Sequence, residues 1–210
     1  MTTTLDDLRA LTPLQLDALR EVANMGAGHA ATALSQMTGG TIMISVPTLH
    51  VTSIDDVAPH FTDDEEPVAA VMLHMLGDLT GRTLLVFPKP TVMRMAELML
   101  RRPAGSSVAL GELERSAIKE AGNILSGAYL NALSDFMGMV LLPSPPQLVV
   151  DVSTEVLTAS CLGAQMGSDY VFVVETEFYM QDIAERLRGF FLLLPDPASL
   201  HAILRAVRLA

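Results

Sequence analysis

The sequence predicts an α/β (α+β) fold made of two pseudo-symmetric halves. Three observations support this prediction. The chain repeats itself after a shift of 99 residues, each half opens with a long helical pattern, and each half continues with apolar, β-prone runs that lead into a short amphipathic helix. We therefore expect residues 1–210 to form a single domain containing an internal duplication, with halves at about 12–102 and 112–210.

The repeat is strongest around the two long helices. Ten of the 31 positions from Asp17 to Pro47 are identical in 116–146 without a gap. Ordinary composition would give about two such identities by chance. Two copies indicate a duplication rather than a solenoid array. Beyond Pro146 the second copy is longer by eight residues, since the equivalent closing prolines lie 107 rather than 99 residues apart, and the excess falls somewhere in 153–168.

A long helix is expected near 13–37 and another near 113–136. Thr12 can cap the first helix, and a proline follows at its opening position. Glycines at Gly39 and Gly138 can end the two helices in the left-handed conformation. The two halves therefore start in the same way.

Apolar, β-prone runs follow each helix. We expect strands at 41–52, 67–76 and 82–87 in the first half, and at 139–142, 147–152, 169–179 and 185–194 in the second. Their short connections favour hairpins, so the strands should be mainly antiparallel, in one shared sheet or in two packed sheets. Short helices near 90–101 and 197–208, each opened by a proline, should close the halves.

Composition excludes several classes of function. A net charge of −11 argues against nucleic acid, because phosphate contacts need clustered Lys and Arg. No apolar run reaches the roughly 18 residues that span a bilayer, and the polar start does not resemble a signal peptide, so we expect a cytoplasmic protein without membrane insertion. Cys161, the single cysteine, is expected to be a small buried residue. The five histidines show no ligand spacing, so no metal site is expected.

Each long helix has a polar stripe opposite its apolar one. At about 100° per residue, the outer stripes contain Asp17, Glu21, Asn24, Gly28 and Ser35, and Ser116, Glu120, Asn123, Gly127 and Ser134. The stripes predicted to face the core contain Leu16, Leu19, Ala23, Ala30, Leu34 and Met37, and Ile118, Leu125, Tyr129, Leu133 and Phe136. Small residues beside each Glu and Asn leave room for another molecule to approach.

A solvated helix face is the simplest alternative explanation of these stripes. One match to Glu-x-x-Asn is expected about every few hundred residues, so a single match carries little information. The match occurs twice in register, however, and asparagine is a poor helix former. The recurrence therefore favours a functional role.

The doubled motif resembles that of the CheC-type phosphatases of bacterial and archaeal chemotaxis, a group that also contains CheX and FliY. The family pattern is Asp or Ser, three residues, Glu, two residues, Asn, twenty-two residues, Pro. It is met by Asp17, Glu21, Asn24 and Pro47, and again by Ser116, Glu120, Asn123 and Pro146. The length of the chain and its two intact motifs favour the two-site CheC type within this group.

The resemblance implies a substrate, the phosphorylated response regulator CheY, whose aspartyl phosphate would be hydrolysed to terminate the signal during adaptation. It implies a pseudo-symmetric fold that presents both motif helices on one surface. Mg²⁺ is expected on the response regulator, with no cofactor bound by this chain. The deamidase CheD is a further possible partner.

The four catalytic candidates are Glu21, Asn24, Glu120 and Asn123. An asparagine amide can accept a hydrogen bond from water and donate one to a phosphoryl oxygen, but it is no general base, so catalysis would be positional. By the resemblance, each glutamate would pair with the active-site lysine of the response regulator.

The remaining motif residues have expected supporting roles. Asp17 and Ser116 should make peripheral or helix-stabilising contacts. Pro47 and Pro146 should fix the strand after each helix rather than touch substrate. Gly28 and Gly127 should face the substrate.

Two rival interpretations use the same surface. One is a non-catalytic binding module that sequesters the phosphorylated regulator, or that acts as a flagellar-switch or CheD adaptor. The other is a scaffold whose duplicated helices form partner interfaces. An intact Asn in both copies counts against pure binding, because binding alone does not need an amide that positions water.

Overall fold

The computed structural model describes residues 12–53, 67–152, 170–181 and 185–209. Within these residues the helices are α1 (Pro13–Thr38), α2 (Lys89–Met99), α3 (Glu112–Met137) and α4 (Pro197–Leu209). The strands are β1 (Ile42–Ile44), β2 (Thr48–Ser53), β3 (Pro67–Gly77), β4 (Gly81–Pro88), β5 (Leu141–Pro143), β6 (Gln147–Val152), β7 (Tyr170–Met180) and β8 (Glu185–Pro195). Residues 153–168, in which the extra segment and Cys161 are expected, lie outside the described residues.

The eight described strands form one antiparallel sheet in the order β1-β7-β8-β4-β3-β5, with β2 also beside β7 and β6 also beside β3. If each strand is replaced by its counterpart in the other half (β1 by β5, β7 by β3 and β8 by β4), the same order is obtained, read from the opposite edge of the sheet. The described sheet therefore has an approximate twofold axis between β4 and β8, where Leu84 faces Leu192 and Leu85 faces Phe191. The predicted α+β class with a shared, mainly antiparallel sheet is confirmed.

The helices contribute to one face of this sheet. Along β4, Leu85 and Phe87 join the core cluster that also includes residues of α1, α2, α3 and α4, while Leu84 and Val86 belong to a second apolar cluster on the opposite face. Alternation along a strand places successive side chains on opposite faces, so both faces of the central strands are apolar. The long motif helices therefore lie on one layer, above one side of a common sheet.

The predicted helix ends are confirmed. Thr12 caps α1 through a reciprocal pair of hydrogen bonds with Gln15, and a proline occupies the first turn. Gly39 and Gly138 end α1 and α3 with φ of 76° and 63°, in the left-handed region that favours glycine. Each amide donates back into its helix, to Ser35 O and Ser134 O.

The predicted strand 41–52 is interrupted, and the reason is a β-bulge. The three residues 45–47 lie between β1 and β2 opposite only two residues of β7, Thr176 and Glu177. Ser45 N donates to Glu177 O at 2.9 Å, and Glu177 N donates to Ser45 Oγ at 3.3 Å. Pro47 closes the bulge on an edge strand, where its missing N–H costs no ladder hydrogen bond.

The second half contains the same bulge. Ser144 N donates to His74 O at 2.9 Å, and His74 N donates to Ser144 Oγ at 2.9 Å. Pro146 is the last of the three residues between β5 and β6. The duplicated Ser-x-Pro therefore encodes a local strand feature. That the two prolines do not touch substrate stays a prediction.

The two motif helices contact each other and the sheet through glycines. A Cβ added to Gly122 of α3 would lie 2.4 Å from Val71 Cγ1, so the absent side chain lets α3 approach β3 closely. A Cβ added to Gly26 of α1 would lie 2.5 Å from Tyr129 Cδ1. Neither glycine recurs in the other copy, where Ala23 and Leu125 take their places. The copies therefore diverge where they pack.

An apolar cavity of about 50 Å³ lies under α1, where the equivalent of Gly122 is Ala23. It is lined by Leu19, Val22, Ala23, Leu49, Tyr129, Leu130, Leu133, Phe172, Val174, Phe191, Leu193 and Ile203. Met37 corrects the predicted core stripe: the residue is 42% exposed, and it lies in the last turn of α1, two residues before the glycine cap.

A buried carboxylate holds the segment that joins the halves. Glu97 of α2 is 2% exposed and accepts hydrogen bonds from Ser107 N at 2.8 Å and Gly105 N at 3.0 Å. Arg94 lies 3.4 Å away and also contacts Glu185 of β8 at 2.7 Å. Burial raises the pKa of Glu97, but these hydrogen bonds and Arg94 outweigh it, so the pKa of Glu97 is lowered overall.

Glu97→Gln should destabilise the fold by about 2 kcal/mol at neutral pH, because it removes charge-assisted hydrogen bonds to the joining segment. Since the pKa of Glu97 is lowered by folding, its contribution is present above the ordinary carboxyl pKa and is lost as pH falls through the lowered value. Urea unfolding of wild type and variant from pH 7 to pH 3 measures this, and the difference should shrink with acid. Asp135→Asn, an exposed change on α3, is the control; equal curves for Glu97→Gln and wild type at pH 7 would contradict the prediction.

Candidate functional site

The catalytic candidates lie on the outer faces of α1 and α3. Glu21 and Glu120 are exposed, and Asn24 and Asn123 are half-buried. Each Asn follows its Glu by three residues, about 4.5 Å along the helix axis. Both pairs therefore present a carboxylate and an amide, side by side, away from the apolar core.

The four candidate side chains have no partner among the residues that the structure describes. Among the described residues, no hydrogen bond or ion pair involves the side chains of Glu21, Asn24, Glu120 or Asn123. A half-buried amide can still bond to water, so it needs no partner within the protein. These four groups therefore remain available to an incoming molecule.

Open surface lies one to two turns beyond each Glu. A Cβ added to Gly28 or Gly127 would meet nothing within 4 Å, in contrast to the tight glycines Gly26 and Gly122. Packing therefore does not require glycine at these two outer positions. Their small size leaves the helix backbone accessible beside Asn24 and Asn123.

The flanking positions differ between the copies. Asp17 accepts a hydrogen bond from Arg20 at 2.7 Å, in an ion pair whose side chains are 64% and 53% exposed. An exposed pair of this kind contributes about 0–1 kcal/mol. Ser116 is exposed at the equivalent place. The first copy thus carries a helix-surface ion pair, which is the peripheral kind of contact expected for this position.

The serine hydroxyls at the end of each outer stripe form hydrogen bonds within the chain. Ser35 Oγ donates to Ala31 O at 2.7 Å and accepts from Ile42 N at 2.9 Å. Ser134 Oγ donates to Met139 O. Their hydroxyls tie each motif helix to the strand that follows it, because the chain reverses direction there.

Tyr129 fixes the contact between the motif helices. Its ring stacks on Phe191 at 4.4 Å between centroids, and its hydroxyl lies 3.1 Å from Thr176 Oγ1. Burial raises the pKa of Tyr129 to about 12, against a smaller lowering by the Thr176 hydrogen bond, so the phenol is neutral at physiological pH. The ring fits against Gly26, which places α1 and α3 in direct contact.

The two motif pairs supply carboxylate and amide groups to this surface. Within the described residues, no cluster of three His, Cys, Asp or Glu side chains could hold a metal ion. In the same part of the chain, no helix combines the length and apolarity needed to cross a membrane. A carboxylate can bind a cation, and an amide can orient water and an anionic oxygen together.

Sequence reasoning missed the packing glycines and the bulge serines. Gly26 and Gly122 differ between the copies, so the repeat gave no signal for them. Ser45 and Ser144 are identical in both copies, and this identity beside a shared proline was a usable signal for the bulge.

Comparisons with known proteins agree with the doubled motif. The model of the CheC-like family matches residues 14–51 and 113–150. The CheY-P phosphatase CheC of Bacillus subtilis is 33% identical over 195 residues, which cover 92% of this chain and 93% of that protein. The flagellar motor switch phosphatase FliY of B. subtilis is 29% identical over 147 residues, and this match covers 69% of this chain but only 38% of FliY.

Among solved structures, Thermotoga maritima FliY aligns with a TM-score of 0.76 at 24% identity, over 95% of this chain and 98% of that one, which shows a shared fold.

The two matches to the family model begin 99 residues apart, at residues 14 and 113, and this distance is the period of the internal repeat. The extent and identity of the match to the B. subtilis phosphatase, together with this doubled family pattern, show that the chain belongs to the CheC-like family.

Proposed function

We propose that this protein is a phosphatase that hydrolyses the aspartyl phosphate of the phosphorylated chemotaxis response regulator CheY and so ends its signal. The observation that carries the proposal is the duplicated pair, Glu21 with Asn24 and Glu120 with Asn123. Its glutamates are exposed, its asparagines are half-buried, and among the described residues none of the four side chains has a hydrogen-bond or ion-pair partner. The B. subtilis relative that aligns along nearly its whole length bears the name CheY-P phosphatase, which supports the same substrate.

The reaction needs little chemistry from this chain. An aspartyl phosphate is an acyl phosphate: water attacks phosphorus, the P–O bond to the aspartyl carboxyl breaks, and the carboxylate leaves with the electron pair. The water protons stay with the product, as dihydrogen phosphate. We assign Asn24 and Asn123 the positioning of this water, with the amide oxygen accepting from water and the amide N–H donating to a phosphoryl oxygen.

The glutamates dock the substrate in this scheme. Glu21 and Glu120 each pair with the active-site lysine of the response regulator, as the family resemblance implies. An ion pair one turn from the asparagine fixes the distance between amide and phosphate, and a displacement of 1 Å in such a site costs about 100-fold in rate.

Mg²⁺ comes with the response regulator, where it neutralises charge on the phosphoryl group. We assign no cofactor to this chain. We also propose that the protein acts in the cytoplasm, and CheD stays a second predicted partner.

Phosphate release from CheY of the same organism, phosphorylated by a small-molecule donor, tests the proposal. The full-length protein should accelerate release catalytically, at a protein concentration well below that of CheY. A sequestering module would instead slow or leave unchanged the loss of phosphate and would act only in stoichiometric amounts. That result would replace the phosphatase by the binding module or the switch adaptor.

The open glycines provide a steric test. Gly28→Trp with Gly127→Trp should reduce kcat/KM by about tenfold or more, because a large ring would occupy the space through which CheY approaches each Asn. Gly28→Ala with Gly127→Ala is the matched control and should raise stability, since alanine is favoured over glycine in a helix by about 1 kcal/mol per site. Thermal unfolding and steady-state phosphate release measure the two effects. Undiminished activity in the tryptophan variant would place the docking surface elsewhere.

A further inference from the structure

Two exposed leucines occupy equivalent positions at the starts of the motif helices. Leu14 is 72% exposed and Leu113 is 53% exposed, and each is the second residue of its helix. A single exposed apolar residue needs no explanation. An exposed leucine at the same position in both copies, 99 residues apart, indicates a common role.

Each leucine lies in line with the candidate site. Seven residues separate Leu14 from Glu21 and Glu21 from Gly28, and the same spacing joins Leu113, Glu120 and Gly127. A step of seven residues turns a helix by nearly two full turns, so the leucine and the glutamate point in the same direction within about 20°. The leucine therefore lies about 10 Å along the axis from the glutamate, on the same open face.

We propose that Leu14 and Leu113 are apolar anchors for the response regulator, each acting at the site on its own helix. This inference rests on the proposed function, and it adds the residues that hold the partner outside the reacting groups. A standard interface covers about 800 Å² per partner, a disc of about 16 Å radius, so a leucine about 10 Å from the glutamate falls inside the footprint.

An apolar anchor complements the charged groups of the site. This chain carries a net charge of −11, to which Glu21 and Glu120 contribute, and the attraction that such charges provide is weakened by salt. Burial of apolar surface does not depend on charge and supplies affinity at short range. Met25, which is 39% exposed, also lies near Glu21, but the equivalent residue Ile124 is half-buried, whereas an exposed leucine recurs in both copies.

The test measures one site at a time. Leu14→Ser is compared in the Asn123→Ala background, where only the first site operates, and in the Asn24→Ala background, where only the second operates. We expect KM for phosphorylated CheY to rise about fivefold in the first background, with kcat within about twofold, and to stay unchanged in the second. Leu113→Ser should give the reverse pattern. Val108→Ser, a fully exposed change between α2 and α3, is the control and should alter neither.

The outcomes separate this inference from the proposed function. If wild type accelerates phosphate release but Leu14→Ser has no effect, or has equal effects in both backgrounds, the anchor is overturned and the phosphatase stands. If wild type does not accelerate release, the proposed function fails, and titration with beryllofluoride-loaded CheY tests the leucines directly. Weaker binding of the double leucine variant would then support the anchor, and unchanged or absent binding would overturn it.

Discussion

Replacing both Asn24 and Asn123 by alanine should abolish the acceleration of phosphate release from phosphorylated CheY while leaving the protein folded. The loss should be about 100-fold or more in kcat, which is the size of effect seen when one preorganised hydrogen-bonding group is removed from a reaction centre. Alanine removes both the acceptor for the attacking water and the donor to the phosphoryl oxygen.

Binding should persist in the double variant, because the glutamates and the open faces remain. We expect the affinity for beryllofluoride-loaded CheY to change by less than about threefold, so the defect lies in kcat rather than KM. Each single variant should keep the activity of the other site. The ratio of the single-variant activities would then give the relative contributions of α1 and α3, which carry different neighbours beside the motif.

Asn131→Ala is the matched control, since Asn131 is an exposed asparagine on α3 outside the motif. It should retain near-wild-type release. Equal acceleration by wild type and by the double variant at Asn24 and Asn123 would show that the water is positioned by other groups. Loss of assembly with unchanged release would favour the scaffold hypothesis.

Much of the fold was predictable because local signals were duplicated. The caps at Thr12, Gly39 and Gly138 were predictable, since each reflects the chemistry of one residue and its helix end. The surface placement of Glu21 and Asn24 followed from helical periodicity. Periodicity predicts direction but not partners, so the roles of these side chains remain predictions.

Other features depend on contacts between distant segments and had no local signal. The bulge at 45–47 exists because β7 supplies one residue fewer than the edge strand, a count that no single segment reveals. Met37 fits the apolar stripe but is exposed in the last turn of α1, because periodicity does not say which turns of a helix other elements cover. The two helices share a pattern and still differ in packing, because Gly122 contacts β3 closely whereas Ala23 borders a cavity.

The tight contact at Gly122 leads to the largest expected loss of stability. Gly122→Leu should destabilise the fold by about 3 kcal/mol, since even the first added carbon would lie 2.4–2.8 Å from three side-chain atoms of Val71, which is fully buried in the sheet. Gly127→Leu, five residues later in α3, meets open space and should gain up to about 1 kcal/mol from better helix propensity. Both substitutions replace a helical glycine by leucine and so raise helix propensity equally. The difference between their free energies of unfolding in urea therefore measures the cost of the clash with Val71.

Removing bulk from the opposing side chain should relieve that clash. Val71→Ala alone creates a small cavity and should cost about 2 kcal/mol, but in combination with Gly122→Leu the total should fall below the sum of the two, because the new side chain fills the vacated space. Strict additivity, or equal stability of the Gly122→Leu and Gly127→Leu proteins, would contradict close packing of α3 on β3. Because Asn123 follows Gly122 directly, Gly122→Leu should also lower release at the second site in the Asn24→Ala background. The contact of α3 with the sheet therefore supports both stability and the position of the amide.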